Sequence, residues 1–169
     1  CDYCFYCDEA VNRKQSSYGY MSRETADNVI RKTLAFAEGA CAFAFQGGEP
    51  TLCGVDFYRY FTGQVKKYNT KGLKVSFALQ TNGLILDIEK VKAITPYVDQ
   101  LIINNYCRDM KLHDNVKEIY EYAKAHPEEF KDVDILIQMR DMDAVLTNRA
   151  GSAPNKQNTQ KIIKETCLM

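Results

Sequence analysis

Apolar positions recur along this chain in two alternating rhythms, one with helical spacing and one with strand spacing. Ser22 reads as an N-cap with Glu24 in the first turn, and Ala26, Val29, Ile30, Leu34 and Ala37 then fall on one helical face. Gly39 is placed to close that helix in a left-handed C-cap. Ala40 to Phe45 is a short apolar run of strand length, carrying Phe43 and Phe45. Val55 to Tyr68 returns to helical spacing through Phe57, Phe61, Val65 and Tyr68. Lys74 to Thr81 alternates as a strand through Val75, Phe77 and Leu79, and Asn82-Gly83 turns it. A shorter helix over Ile88 to Ile94 is stopped by Pro96, and Val98 to Ile103 is the next buried strand. Asn104 to Asn115 reads as a loop ending in an Asp114-Asn115 start signal. It leads into a helix over Val116 to Ala125, which Pro127 ends. Val133 to Met139 is a further strand.

Outside this core the pattern fades. Residues 8–20 are polar and turn-rich, and from Asp141 onward Gly and Pro punctuate the chain, with a last short helix predicted over Gln160 to Glu165. Residues 1–140 are therefore expected to form the folded core, and 141–169 a linker. Strands alternating with helices imply parallel pairing with right-handed crossovers.

Composition narrows the chemistry. At 169 residues the chain is long enough to bury a real core, and its 22 basic residues balance 22 acidic ones. No basic footprint for nucleic acid is present, and no apolar run is long enough to span a bilayer. Seven cysteines in a chain of this length and alternation, clustered at one end, favour a reduced, cytoplasmic protein with a metal site over a disulfide framework.

The cluster is Cys1-Asp2-Tyr3-Cys4-Phe5-Tyr6-Cys7. Thiols this close converge on one small volume, and thiolates so gathered select iron–sulfur clusters, zinc or copper(I). Two later stretches, Gln46-Gly47-Gly48-Glu49-Pro50 and Gln80-Thr81-Asn82-Gly83, each close an apolar strand. Paired glycines at a strand end let a backbone approach a ligand closely, though an ordinary strand-to-helix turn has the same composition.

Cys-aromatic-Cys, Gly-Gly-Glu-Pro and Thr-Asn-Gly, in that order, resemble the radical S-adenosyl-L-methionine (radical SAM) superfamily. The wording from Phe43 to Leu52 is similar to the anaerobic sulfatase-maturating enzymes. The likeness covers residues 1 to about 87. The second half is more similar to radical SAM enzymes with a SPASM-type C-terminal domain, which Cys167-Leu168-Met169 would open. Leu101-Ile-Ile-Asn-Asn-Tyr106 stands where the maturases have a Ser-x-Asp-Gly-Pro-like signature. Cys1 and Cys4 match the second and third cysteines of the family's Cys-x3-Cys-x2-Cys motif, so the first would lie four residues before Cys1.

That resemblance implies a partial (β/α)6 barrel, an open curved sheet with helices on its outer face and its first strand missing. It also implies a 4Fe–4S cluster held by Cys1 and Cys4, with Cys7 as an extra thiol or substitute ligand. S-adenosyl-L-methionine (AdoMet) would lie against Tyr3, against Gln46, Gly47, Gly48, Glu49 and Pro50, and near Gln80 or Asn82. The implied reaction is reductive cleavage of AdoMet to a 5′-deoxyadenosyl radical. That radical would oxidise a Cys or Ser of a protein, such as a sulfatase, to formylglycine, with a flavodoxin or ferredoxin as electron donor. With one cluster ligand lacking, this chain alone is expected to hold its cluster weakly and to be inactive. Two other readings are a radical SAM enzyme acting on a different peptide and a non-catalytic module in which Cys1, Cys4 and Cys7 hold a metal. His113 and His126 are expected to be surface histidines.

Overall fold

The computed structural model of the chain describes residues 10–15, 17–107, 111–141 and 162–163. In chain order these hold α1 (Arg23–Phe36), β1 (Ala40–Phe45), a 3-10 turn (Pro50–Cys53), α2 (Val55–Tyr68), β2 (Lys74–Thr81) and α3 (Ile88–Ile94). They continue with β3 (Gln100–Cys107), α4 (Asp114–Ala125), β4 (Asp134–Asp141) and β5 (Ile162–Ile163). One sheet runs β1-β2-β3-β4-β5; β1 to β4 are parallel, and β5 is antiparallel to β4.

Sequential parallel strands joined by right-handed crossovers carry every connecting helix on the same face. Strand alternation then divides the residues. Phe43, Leu79, Leu101, Ile103, Ile137 and Met139, all odd-numbered, are buried toward the helices. Even-numbered Ala40, Ala42, Ala44, Lys74 and Ser76 stand exposed on the other face of β1 and β2. Register sets Ala42 beside Ser76 and Ala44 beside Ala78, so the open face is floored by small residues at β1 and β2.

Two apolar clusters hold the helices. Ala26, Ile30 and Leu34 of α1 meet Phe43, Phe61 and Val65, while Leu79, Leu101, Ile103 and Ile137 pack with Val91, Ile94, Val116 and Ile119 of α3 and α4. Ser22 caps α1 as its sequence predicts, its side chain accepting from the Thr25 N–H at 3.1 Å. The stripe is narrower than expected, because Val29 is 37% exposed. The helix ends at Phe36 with Ala37 as its C-cap, and Gly39, at φ 74°, turns the chain into β1 instead.

Three further predictions are corrected. The strand predicted over 98–103 is shifted: β3 begins at Gln100 and runs on to Cys107, because Asn104 to Cys107 pair with Gln138 to Asp141 of β4. Helix α4 starts at Asp114, two residues before the predicted start. Ile162 and Ile163, predicted helical, pair instead with Gln138 and Ile137 at the sheet edge, where β-branched residues fit the pleat.

Leu101, fully buried at the centre of the larger cluster, tests the packing. Leu101→Ala is expected to lower unfolding free energy by about 2–5 kcal/mol in urea titration.

Candidate functional site

The C-terminal ends of β1, β2 and β3 form one rim. Gly47 and Gly48 leave β1 at φ 91° and 55°, the left-handed region where glycine is favoured. A Cβ built on Gly48 would meet no atom within 4 Å, so the space beside this loop is open. Among the described residues, no hydrogen bond reaches the carbonyls of Gly47 or Gly48.

Glu49 ties this loop to the next strand. Its Oε1 accepts from the Thr51 N–H (3.1 Å), the Thr51 hydroxyl and the Thr81 hydroxyl (2.7 Å), while Oε2 accepts from the Asn82 N–H at 2.9 Å. Pro50 starts the 3-10 turn, and its carbonyl accepts from the hydroxyl of fully buried Tyr58 at 2.6 Å. Tyr58 itself packs edge-on against Phe45, ring centroids 5.1 Å apart. Burial, with the Cys53 thiol and Glu49 carboxylate nearby, pushes the Tyr58 phenol well above its ordinary range.

The loop after β2 is held from the other side. Asn115, in the first turn of α4, donates to the carbonyls of Gly83 (2.8 Å) and Leu86 (2.9 Å). Gly83 has φ 75°, and a Cβ there would lie 2.6 Å from Ile103 Cγ2. At the end of β3, the Asn105 amide donates to the Lys111 carbonyl and its Oδ1 accepts from the His113 N–H, both at 2.9 Å. The His113 ring nitrogen lies 2.6 Å from the Tyr106 carbonyl, so this histidine is a half-buried structural partner, not the surface residue expected. His126 is exposed, stacked on Tyr122 with centroids 4.0 Å apart.

The structure gathers Gly47, Gly48, Glu49, Pro50, Gln80 and Asn82 at this rim. Gln80 is half-buried on the sheet's open face, whereas Gln46 is exposed. The Asn82 side-chain oxygen accepts from the Leu84 N–H at 2.9 Å, so the turn uses it. Asn104, only 4% exposed, carries a buried Oδ1 with no partner among the described residues. Cys1, Tyr3, Cys4 and Cys7 lie outside the described residues. Among the described residues, no group of three His, Cys, Asp or Glu could hold a metal ion. No described helix is long and apolar enough to cross a membrane.

A cavity of about 670 Å³, lined by Arg59, Gly63, Lys66, Phe77, Tyr97 and Asp132 among others, opens at the other end of the sheet; none of the motif residues borders it. Sequence reasoning passed over Thr51, Tyr58 and Thr81 as individual residues. Tyr58, Phe61, Thr62 and Val65, the buried positions of α2, keep helical spacing, and that was the available signal.

No family model matches the chain. It is 40% identical over 121 residues to a cysteine-type anaerobic sulfatase-maturating enzyme of Clostridium novyi, covering 72% of this chain and 30% of that one. A second relative of the same description, from Clostridium perfringens, is 45% identical over 87 residues, 52% of this chain and 24% of its own. In structure the chain matches native anSMEcpe with bound AdoMet at TM-score 0.61 and 32% identity, over 81% of this chain and 38% of that one. The chain is radical SAM, sulfatase-maturase-like. A solved complex of BtrN with AdoMet and 2-DOIA, at 19% identity and TM-score 0.54, shares the fold with this radical SAM chain. The matched segments span 30% and 24% of the clostridial relatives' lengths and 38% of the solved structure's. The match of 121 residues carries the maturase likeness past the 87 residues expected.

Two outcomes test the rim. Gly83→Ala must push Ile103 aside and strain a positive φ, so it is expected to cost roughly 1–3 kcal/mol by chemical denaturation. Burial first, and the Glu49 carboxylate second, push the Cys53 thiol above its ordinary pKa. Iodoacetamide labelling of Cys53, followed by peptide mass mapping, should therefore start at lower pH in Glu49→Gln than in the parent chain.

Proposed function

We propose that this chain is the AdoMet-binding core of a radical SAM oxidoreductase that oxidises a cysteine or serine of a protein substrate to formylglycine. Sulfatases are the substrate class that the relatives' names carry. The observation behind this reading is the arrangement around Glu49. A carboxylate offers about four lone-pair sites. Oε1 already takes three donors and Oε2 one, so Oε2 keeps room for a donor from outside, such as the ammonium of AdoMet. The carbonyls of Gly47 and Gly48, which accept no hydrogen bond among the described residues, would share that ammonium. Asn104 Oδ1, buried and without a partner among the described residues, suits a hydroxyl donor, and half-buried Gln80 lies on the neighbouring strand.

Cys1 and Cys4 would hold the 4Fe–4S cluster, with Cys7 beside it and Tyr3 against the adenine. Cluster and AdoMet together supply one-electron cleavage of the sulfonium and a radical able to abstract hydrogen. This chain's own contribution would be to grip the cofactor's amino acid end and orient it. A flavodoxin or ferredoxin class protein would deliver the electron, and a peptide would enter over the open face. A second substrate reading, a different peptide, is favoured by Asn104-Asn105, which stand where the maturases' Ser-x-Asp-Gly-Pro-like signature is expected.

The test is AdoMet binding after anaerobic iron–sulfide reconstitution. Glu49→Gln is expected to raise the AdoMet Kd at least about tenfold, the usual scale of a lost hydrogen bond to a charged group, with the far-UV circular dichroism spectrum unchanged. Equal affinity in the two proteins would reject the reading.

A further inference from the structure

The β1–β2 ladder ends at the pair Phe45 and Leu79. Beyond it, β2 continues through Thr81 still paired to β3, but its β1 side has lost a backbone partner. A side chain takes over there. The Glu49 carboxylate receives the Thr81 hydroxyl and the Asn82 N–H, across 32 and 33 residues of sequence. Thr81 is 2% exposed, and its oxygen works in both directions: the hydroxyl donates to Glu49 Oε1, and the oxygen accepts from the Gly83 N–H at 3.1 Å. An ordinary turn after β2 requires only the local bonds, those from Gly83 to Thr81 and from Leu84 to Asn82. The bond to Glu49 is additional.

We propose that Thr81 is a positioning residue: through Glu49 it holds the Gly47–Gly48 loop in the geometry that receives the ammonium end of AdoMet. The inference rests on the AdoMet reading above and adds the residue that makes the loop competent. Thr81 does not touch the ligand. It occupies one lone-pair direction of Oε1 and helps fix the plane of the carboxylate. Oε2, which also accepts from Asn82, is thereby aimed at the open side of the rim. Losing the hydroxyl leaves the Asn82 N–H as the one remaining bond from the end of β2 to Glu49, so the carboxylate plane is less firmly held and the loop is tied more loosely to β2.

The experiment compares the parent chain with Thr81→Val, which keeps the shape and removes the hydroxyl, and Thr81→Ser, which restores it. Amide hydrogen exchange is read at Thr51, whose N–H donates to Glu49 on the distant loop. AdoMet Kd is read on the anaerobically reconstituted proteins. Thr81→Val is expected to speed exchange at Thr51 and to raise the Kd, each by roughly tenfold. Thr81→Ser is expected to return both toward the parent values, which a role in packing alone would not do. Unchanged exchange in Thr81→Val overturns the proposal. So does faster exchange with unchanged AdoMet affinity, since the clasp would then not serve the ligand. A parent chain that holds its reconstituted cluster and yet binds no AdoMet sinks the functional reading itself and this proposal with it, an outcome distinct from a failure confined to Thr81→Val. Should Thr81→Val not fold, Thr51→Val and Thr51→Ser make the same comparison on the other hydroxyl at Oε1, with Asn82 exchange as the distant readout.

Discussion

A half-buried carboxylate at the end of a parallel sheet is costly to desolvate unless donors converge on it. Glu49 meets that condition with two backbone N–H groups and two hydroxyls, drawn from its own loop and from the end of β2. The cost and its compensation make the carboxylate an organising centre. Because the donors come from both loops, neither loop can move far without stripping a partner from the charge. The opening between β1 and β2, created where the ladder stops, is thus spanned by a side chain and not closed by backbone pairing. Among the described residues the two glycines leave their carbonyls without a hydrogen bond, and the residue after them is the one that is anchored.

The rest of the rim leans on this anchor from the helix side. Tyr58 fixes Pro50 from beneath, Asn115 fixes the turn at Gly83, and Asn105 fixes the entry to α4. Each uses a buried or half-buried polar side chain to satisfy backbone groups that would otherwise be orphaned in the loops. Large aromatic rings (Phe45, Phe57, Phe61) support Tyr58 in turn, so the stiffness of the loop after β1 derives from the core under it. Polar satisfaction at the top and apolar packing below act on the same few residues.

Much of this was legible in the chain. The short apolar run at Ala40–Phe45, the alternation at Lys74–Thr81 and the cap at Ser22 follow from local physics, and the structure places them where the pattern does. The exceptions have a common cause. Asn104 and Asn105 look like loop residues because an amide inside a sheet is expensive. That expense is offset for Asn105 by the Lys111 carbonyl and His113 N–H, partners that only the fold brings near. Ile162 and Ile163 look helical by propensity of their neighbours, but an open edge on β4 decides otherwise. At the site, the motif residues announced themselves through glycine and proline. Thr51 and Thr81 did not, because a threonine at a strand end reads as ordinary β-propensity until its hydroxyl is seen to face a carboxylate.

The alanine and serine floor of β1 and β2 has a consequence for how the protein can vary. Ala42, Ala44, Ser76 and Ala78 sit one position away from the side chains that grip the helices, and they point the opposite way. Carbon added at these positions would raise the floor of the exposed face and leave the helix contacts intact. Carbon removed one step along, at Phe43 or Leu79, would loosen the scaffold and leave that floor unchanged. The pleat thereby gives the chain two nearly independent dials, one for the shape of what can be admitted and one for holding together.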